Sequence, residues 1–446
     1  MDDRAPHPPG DQARDVVVVG AGVSGLTAVR FLLDSAALAG STVLLVDGAQ
    51  DDDELRTLSF WAEGPTPLDP LVRHRWRTLR LHLDDGAGGS AHDVPLREHT
   101  YRCVFFADLQ REVKARLAER PGGEVVEGRV RALTQDAAGA TLTVALTAGG
   151  ERTVRAGWVL DSRFHLRDLV VDTRRHHDLR QHFHGWIVRT PHDAFDPDVA
   201  TLLDFRAGVP AGTGFCYVLP FSPREALAEL VTLHPVDAET LVRAYLRRTL
   251  GEVEPEFVAR ESGVSPMTEQ PYPWRDGPRV RRIGVACGRL KPSTGYAVTR
   301  IVADCAAVVA SLERAGHPFT PPPDARFHRL LDAVLLEVWQ RDPAVVPGVF
   351  AAMFLRNPAD RVLRFLDERE STTDLVRLIA RLPKAPFLLA AARYLLRRAV
   401  AAGSRGRSSE EPSGAPSGTA SGAAGAVPRR PGRPGRPGRP GRDNRR

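Results

Sequence analysis

Residues 15–47, DVVVVGAGVSGLTAVRFLLDSAALAGSTVLLVD, decide the fold of this chain. The unbroken valine run at 16–19 predicts a strand buried on both faces, and Gly20, Gly22 and Gly25 follow it in G-x-G-x-x-G spacing. Gly20 makes the tight turn, Gly22 lets the backbone approach a pyrophosphate, and Gly25 lets the next helix pack closely on the strand. The stretch therefore predicts a dinucleotide site.

The residues after the glycines complete this nucleotide unit. Residues 26–38 predict a helix whose N-terminus faces the phosphates, and residues 42–46 predict a second strand. Asp47 ends that strand about 20 residues beyond the glycines, where a carboxylate can bind ribose hydroxyls. An acid at this place favours FAD or NAD over NADP. A glycine-rich turn in another α/β protein is the alternative, but strand, turn, helix, strand and acid all follow in the expected order.

Composition describes a near-neutral body with a basic tail. The 446 residues carry a net charge of +6, but residues 403–446 contain ten Arg against three acids, which leaves −1 for residues 1–402. The four cysteines are widely spaced and form no C-x-x-C pair, so we expect no metal site or disulfide framework, and a reducing cytoplasm fits. The sequence shows no signal peptide and no apolar run of about 18 residues, so any membrane contact is expected to be peripheral.

The pattern divides the chain into six segments. Residues 1–14 are rich in proline and charge and predict a disordered N-terminus. Residues 15–180 are expected to form the first part of an FAD-binding domain, residues 181–275 a strand-rich substrate domain, and residues 276–320 a segment that returns to the FAD-binding domain. Residues 321–402 are mostly helical, and residues 403–446 form a basic, low-complexity tail that is expected to be disordered. The expected class is α/β: a Rossmann-like fold with an inserted antiparallel β domain and a helical C-terminal region.

Two candidate cofactor residues lie near the predicted nucleotide unit. Arg56 follows the acidic run 51–54, which is either a solvated loop or part of a cofactor or substrate cleft. Asp161 lies in the segment 158–163, which reads as a short buried strand with polar residues at its end. That strand either returns to the nucleotide sheet near the cofactor or is an ordinary core strand.

Three more candidates are glycines: Gly284, Gly288 and Gly295. Residues 282–288 predict a strand that runs into a glycine turn, and residues 297–315 predict a helix. A strand, a glycine-containing loop and a helix start together make an anion site, suited to the flavin side of the cofactor. A purely structural loop is the alternative.

Glu229 is the candidate catalytic acid. Residues 226–233 are compatible with a helix or a strand; in a strand, Glu229 would share its face with Leu227 and Val231 and point into an apolar space. A buried carboxyl without a partner has a raised pKa and can stay protonated near neutral pH, as a general acid requires. The alternative is a solvated glutamate on an amphipathic element.

The C-terminal segments are candidates for contact with a membrane. Residues 386–398 combine apolar side chains with arginines, which suits a helix lying on a membrane surface, although packing within the domain is an equal alternative. The basic tail could contact anionic lipid or nucleic acid weakly, and specific nucleic-acid binding is not expected.

Several stretches together resemble the flavin-dependent lycopene cyclases of carotenoid synthesis, of the bacterial and plant β-cyclase type. Together with the nucleotide unit they cover about residues 15–300. The stretches are 56–61 (RTLSFW), 181–186 (QHFHGW), 204–206 (DFR), 217–223 (YVLPFSP), 266–268 (PMT) and 291–296 (KPSTGY).

The resemblance implies bound FAD and cyclisation of the linear ends of lycopene to β-ionone rings without net redox change, giving β-carotene or γ-carotene. Family members need the flavin reduced, commonly by NADPH, and Glu229 matches an essential family glutamate. This chain has Leu58 where the family usually has Trp, and Leu230 and Val231 where it usually has a second acid or polar residue and a threonine.

Two other kinds of function remain open from the sequence. Another flavoenzyme of the same fold, such as an isoprenoid reductase or an aromatic hydroxylase (a monooxygenase), would consume NADPH with every product. A flavin-carrying membrane or nucleic-acid adaptor would instead depend on residues 403–446. The number and type of rings and the oligomeric state stay open as well.

Overall fold

The structure, a computed structural model, describes residues 13–48, 55–83, 90–210, 212–251, 253–323 and 326–407. The acidic run 51–54 lies outside the described residues, as do nearly all of the predicted disordered N-terminus and most of the predicted disordered tail. The chain divides into two units after Ala401, and the first of these is described below.

The described residues contain seventeen strands and nine α-helices. The strands are β1 Arg14–Val19, β2 Val43–Asp47, β3 Thr57–Ala62, β4 Val72–Trp76, β5 Thr78–His82, β6 Ala91–Pro95, β7 Thr100–Phe105, β8 Gly123–Gln135, β9 Ala140–Leu146, β10 Glu151–Asp161, β11 Leu179–Arg189, β12 Val199–Asp204, β13 Gly214–Ser222, β14 Glu225–Thr232, β15 Glu256–Met267, β16 Arg275–Asp276 and β17 Val280–Arg282. The helices are α1 Val23–Asp34, α2 Phe106–Glu119, α3 Ala238–Leu250, α4 Val298–Ala315, α5 Arg326–Arg341, α6 Val346–Leu355, α7 Ala359–Leu366, α8 Thr372–Arg381 and α9 Lys384–Arg407.

The first sheet has seven strands: five parallel strands in the order β8, β2, β1, β10, β17, joined by β9 and β16 through antiparallel pairing. Strand β1 is buried on both faces as predicted: Val16 and Val18 pack with α1 and α4, whereas Val17 and Val19 pack with β9 and β10. The chain returns to this sheet through β10 and β17, whose ends lie beside the end of β1. The parallel register therefore brings the glycine turn, Asp47 and Asp161 to one edge of the sheet.

A second sheet, in the order β15, β11, β14, β13, β12, β5, β6, contains the predicted strand-rich insertion. Its neighbours are antiparallel except β12 and β5. Strands β5 and β6 come from residues 78–95, ahead of the insertion, and join it through that parallel pairing. Residues 226–233, compatible with helix or strand from the sequence, contribute strand β14.

A three-stranded sheet, β3, β7 and β4, lies between these parts of the chain, and its strands supply Trp61, Trp76 and Tyr101 to the core beneath the second sheet. Helices α5 to α9 follow, as the helical periodicity of residues 321–402 predicted. Two predicted element boundaries are wrong. Helix α1 covers Val23–Asp34, earlier than residues 26–38. Strand β17 ends at Arg282, because Gly284 at φ +69° turns the chain into a 3-10 helix, Gly284–Cys287.

Candidate functional site

The glycine turn after β1 has the geometry of a close-packed phosphate loop. Gly20 adopts φ +95°, a conformation that favours glycine. A Cβ on Gly25 would lie 1.8 Å from the carbonyl oxygen of Gly20, so the helix approaches the turn too closely for a side chain. A Cβ on Gly22 would meet nothing within 4 Å, which leaves open space in front of the turn. The three glycines thus occupy the positions that the sequence predicted.

Ser162 fixes the same turn from the neighbouring strand. Its hydroxyl donates to the carbonyl oxygen of Val19 at 2.8 Å, and it would lie 2.5 Å from a Cβ on Gly20. The sequence reasoning passed over this residue, although it directly follows Asp161 at the predicted strand end. Ser162 therefore couples the end of β10 to the glycine turn.

A cleft of about 670 Å³ opens in front of this turn. Gly22 is the N-cap of α1 and supplies no side-chain cap, so the first N–H groups of the helix remain available to a ligand. Four arginines also line the cleft: Arg129, Arg131, Arg163 and Arg167. Helix N-terminus and guanidinium groups together make the cleft attractive to the pyrophosphate of a dinucleotide.

The two predicted acids lie at this edge of the sheet, and each has a basic partner. Asp47 is buried at the end of β2, where the Nζ atom of Lys114 lies 2.6 Å from its carboxylate, and the flanking residues Val46 and Gly48 line the cleft. Asp161 accepts from the backbone N–H of Arg163 at 3.0 Å and from its guanidinium at 2.8 and 2.9 Å. Asp161 lines a cleft of about 550 Å³ that shares Arg163 with the first.

The three later glycines, Gly284, Gly288 and Gly295, do not share one site. A Cβ on Gly284 would lie 1.8 Å from the hydroxyl oxygen of Ser24, so this turn packs against the first turn of α1, and the next residue, Val285, lines the nucleotide cleft. Gly288 and Gly295 adopt φ +75° and +78°. A Cβ on Gly295 would lie 2.0 Å from the side-chain oxygen of Gln181, which places this loop against the second sheet.

Arg56 contacts the start of α2. Its guanidinium is 5.6 Å from the ring centroid of Phe106, the first residue of α2. The backbone carbonyl of Arg56 accepts from the N–H of Phe106 at 2.8 Å. Arg56 directly precedes Thr57, which contacts the acidic site described next.

Glu229 belongs to a row of residues that crosses the second sheet. The register places Tyr217 of β13, Glu229 of β14, Gly185 of β11 and Glu261 of β15 side by side. Glu229 is only 4% exposed and Glu261 only 5%, so the strand alternative for residues 226–233 does place this acid in the protein interior. Both side chains approach Gly185 from its two neighbouring strands, so the charge of Glu261 acts on the titration of Glu229.

Gly185 is the reason that these carboxyls can meet. A Cβ at this position would lie 2.8 Å from Oε2 of Glu229 and 3.1 Å from Cγ of Glu261. Thr57 binds Glu261: the backbone N–H and the hydroxyl of Thr57 donate to the two carboxylate oxygens of Glu261 at 2.7 and 2.8 Å. One carboxyl of the pair therefore has two fixed donors, and the other faces the apolar interior.

Burial sets the protonation state of Glu229. Loss of water and the nearby charge of Glu261 raise the pKa of Glu229 well above its usual value, while the hydrogen bond with Tyr217 acts in the opposite direction. Burial also raises the pKa of Cys103 to about 12, and the pKa values of the Tyr101 and Tyr217 phenols are raised well above their usual value. Burial and the charge of Glu261 therefore both favour the neutral form of Glu229.

Aromatic side chains lie near this acid. The ring of Trp61 contacts Tyr296 edge to face with centroids 4.5 Å apart, and Tyr101 stacks on Trp61 at 6.4 Å. Burial raises the pKa of the Tyr296 phenol, and the charge of Glu229 contributes to the same shift. The loop 291–296 therefore brings Tyr296 close to Glu229.

Glu261 is the main residue that sequence reasoning missed. In β15 it shares its strand face with Ala259, which is the same alternation signal that singled out Glu229. Charged neighbours at Arg260 and Glu256 obscure that signal. Its register opposite Gly185 depends on pairing between strands more than 70 residues apart and has no local signature.

The α9 surface, defined here as the exposed apolar side chains of α9, lies at the C-terminal end of the first unit. Five of these side chains are between 50% and 68% exposed: Leu388, Leu389, Leu395, Leu396 and Val400. An apolar cavity of about 320 Å³ extends from Leu388 and Leu395 between α5, α6 and α9 as far as Lys291. Among the described helices, none is long and apolar enough to cross a bilayer.

Comparison with solved structures shows the flavoprotein fold at low sequence identity. A triple mutant of the flavin-dependent brominase Bmp2 has a TM-score of 0.58 and 15% identity, covering 82% of this chain and 98% of that protein. A flavoprotein/dehydrogenase from Cytophaga hutchinsonii has a TM-score of 0.55 and 14% identity, with 80% and 92% covered. A geranylgeranyl bacteriochlorophyll reductase-like protein from Thermoplasma acidophilum has a TM-score of 0.53 and 16% identity, with 86% and 96% covered.

Comparison with protein families is more specific. No curated protein matches the chain significantly. The family described as lycopene cyclase protein matches residues 15–392, a stretch that includes the glycine turn, the Glu229 row and most of the C-terminal helices. The chain therefore belongs to the lycopene cyclase family.

Proposed function

We propose that this protein is a flavin-dependent lycopene β-cyclase that closes the linear end groups of lycopene to β-ionone rings without net redox change. The observation that carries the proposal is Glu229: a buried carboxyl with a raised pKa that lies near the phenols of Tyr217, Tyr101 and Tyr296. Family membership supplies the substrate class. An acid in a dry apolar site suits protonation of a hydrocarbon, because water would compete for the proton.

The nucleotide cleft fits FAD. The close approach of Gly25 to Gly20, the uncapped start of α1 and the arginines of the cleft would hold the pyrophosphate, and Asp47 would hold ribose hydroxyls in competition with Lys114. Gly288 and Gly295 would border the flavin end. Reduced FAD, when bound, supplies an electron-rich ring system that stabilises positive charge, and NADPH is the proposed reductant.

Glu229 and its aromatic neighbours account for the acid-base steps. Glu229 donates its proton to a terminal alkene carbon of lycopene, and the cation is attacked by an internal alkene to close the ring. The faces of Trp61, Tyr101 and Tyr296 stabilise positive charge in the substrate and exclude water. Loss of a neighbouring proton to the Glu229 carboxylate then sets the ring type and leaves the molecular formula unchanged.

The deciding experiment is an anaerobic assay of the full chain with FAD, NADPH and lycopene in liposomes, with products separated by chromatography and weighed by mass spectrometry. A product of unchanged mass with a shifted absorption spectrum supports cyclisation, and its retention identifies the rings. A gain of two hydrogens would establish a reductase, and a gain of oxygen a monooxygenase. Either result would overturn the proposal.

Glu229→Gln isolates the role of the acid. The amide keeps the shape of the side chain but cannot donate a proton to carbon, so we expect cyclisation to fall at least a hundredfold while FAD binding is kept. Glu225→Gln is the matched control, because Glu225 begins the same strand but pairs with Arg189 at the surface. Normal cyclisation by the Glu229→Gln protein would contradict the role.

The α9 surface is our proposed contact with a membrane, from which a hydrocarbon substrate can be taken up. Exposed leucines beside basic residues such as Lys384 and Arg398 suit an anionic bilayer. The four free, buried cysteines suit a reducing compartment, so we place the protein at the cytoplasmic side.

Flotation with anionic vesicles tests this contact. The double variant Leu388→Asp, Leu395→Asp should remain in the bottom fraction while keeping activity on detergent-dispersed lycopene. Val258→Asp, which alters an exposed apolar residue of β15, is the control and should float like the wild type. Flotation of the double variant with the vesicles would contradict the proposed membrane contact of the α9 surface.

A further inference from the structure

Two acids in register across a glycine are unusual in a sheet interior, because like charges at that distance repel unless they share a proton. Glu229 and Glu261 are both at most 5% exposed, and both side chains lie within 3.1 Å of the position that a Cβ on Gly185 would occupy. Two carboxyl groups this close and this buried cannot both ionise without strong repulsion, which sharing one proton relieves. The pair therefore carries a single negative charge.

Thr57 decides where that charge lies. Both oxygens of Glu261 accept hydrogen bonds from Thr57, whose donors favour the ionised form of that carboxyl. Glu229 accepts no such fixed pair and points toward Tyr217. The proton of the pair thus belongs on Glu229, which is the member that faces the proposed substrate space.

We propose that Glu261 is a positioning residue for the proposed cyclisation: it shares one proton with Glu229, keeps that proton on Glu229 before the reaction, and drives its return afterwards. The inference rests on the proposed function for its substrate. When Glu229 gives its proton to an alkene carbon, the pair is left with two negative charges. Recovery of a proton from the ring carbon restores the single charge, so protons balance over one turnover.

The other groups that face Glu229 do not supply this charge. They are Tyr217 on β13, Tyr101 and Cys103 on β7 and Tyr296 in the loop 291–296, while Cys216 lies on the opposite face of the second sheet. Burial raises the pKa of each of these phenols and thiols, so all of them are neutral at physiological pH. Among the described groups that face Glu229, Glu261 is therefore the source of negative charge.

Two substitutions should move the titration of the pair in opposite directions. Glu261→Gln removes the negative neighbour, so the pH at which Glu229 loses its proton should fall by about one unit or more. Thr57→Val removes the hydroxyl donor to Glu261 while suiting a strand, so the pair should hold its proton to higher pH. The alkaline limb of the cyclisation rate against pH should shift with each variant.

Infrared spectroscopy of the FAD-loaded protein gives a readout independent of turnover. The carboxylic-acid band that is absent in Glu229→Gln reports the proton directly, and its pH midpoint is compared among the wild type, Glu261→Gln and Thr57→Val. A wild-type midpoint in both variants would overturn the inference; if Glu261→Gln does not fold, an unmoved midpoint in Thr57→Val alone does so. A wild type that fails to cyclise lycopene while both midpoints move would instead overturn only the proposed function.

Discussion

Gly22 and Gly25 lie three residues apart but should fail in different ways when changed to alanine. A Cβ on Gly25 would lie 1.8 Å from the carbonyl oxygen of Gly20, a contact with backbone that no side-chain rotation relieves. We expect Gly25→Ala to lower the free energy of unfolding of the FAD-free protein by about 1 to 3 kcal/mol or more, as overpacking does. FAD binding should be lost with it, because the turn must move.

Gly22→Ala should leave the stability of the fold nearly unchanged but weaken the binding of FAD. Its Cβ meets nothing within 4 Å, and its φ of −76° suits any residue, so FAD-free stability should change by less than about 1 kcal/mol. The added methyl group occupies the space in which we expect the pyrophosphate to lie. We therefore expect at least a tenfold weaker affinity for FAD, or about 1.4 kcal/mol.

The assay for both variants is chemical denaturation without FAD, followed by titration of the refolded protein with FAD by flavin fluorescence. Wild-type affinity in Gly22→Ala would refute the placement of the pyrophosphate at this turn. Unchanged stability in Gly25→Ala would show instead that the helix can move away from the turn, and would refute the packing argument.

Three further predictions concern neighbouring parts of the structure. Lys291 lies 3.0 Å from Asp332 and 2.9 Å from Glu368 in a buried cluster, so Lys291→Met should lower the free energy of unfolding by about 3 kcal/mol, measured by denaturant titration, with the exposed Lys384→Met as an unaffected control. Burial raises the pKa of Asp367 from 3.8 to about 6, so the folded protein binds this proton more tightly than the unfolded chain and stability falls as pH rises between these values. The free energy of unfolding should therefore fall by about 2 kcal/mol less between pH 4 and 6.5 in Asp367→Asn than in the wild type. Denaturant titrations at several pH values that give the same fall in both proteins would contradict this assignment. Ser162→Ala removes one hydrogen bond to the glycine turn and should weaken FAD binding by about 1 kcal/mol, roughly fivefold, by the same flavin titration.

Local signals account for what the sequence predicts well. The valine run, the glycine spacing and Asp47 lie within 33 residues, and each constraint acts between near neighbours along the chain. The strand alternation of residues 226–233 likewise placed Glu229 on an inward face once the strand was known. Such features need no knowledge of the distant chain.

Long-range pairing accounts for what the sequence does not show. Strand β5 pairs with β12 across more than 100 residues, which is why residues 78–95 join the second sheet without any local sign of it. Glu261 meets Glu229 only because β11 brings Gly185 between β14 and β15. The cluster around Lys291 similarly joins loop 291–296 to α5 and to Glu368, and neither partner is adjacent in sequence.

The strand register also shows which site each departure from the usual family residues can affect. Leu230 alternates with Glu229 and packs on the opposite face of β14 with Val242 and Tyr245 of α3, so it does not contact the acid pair. Val231 returns to the face of Glu229, and Leu58 lines the nucleotide cleft. Any effect of these departures on the product should therefore arise at Val231, through substrate shape, or at Leu58, through the cofactor, and a change at Leu230 should alter stability alone.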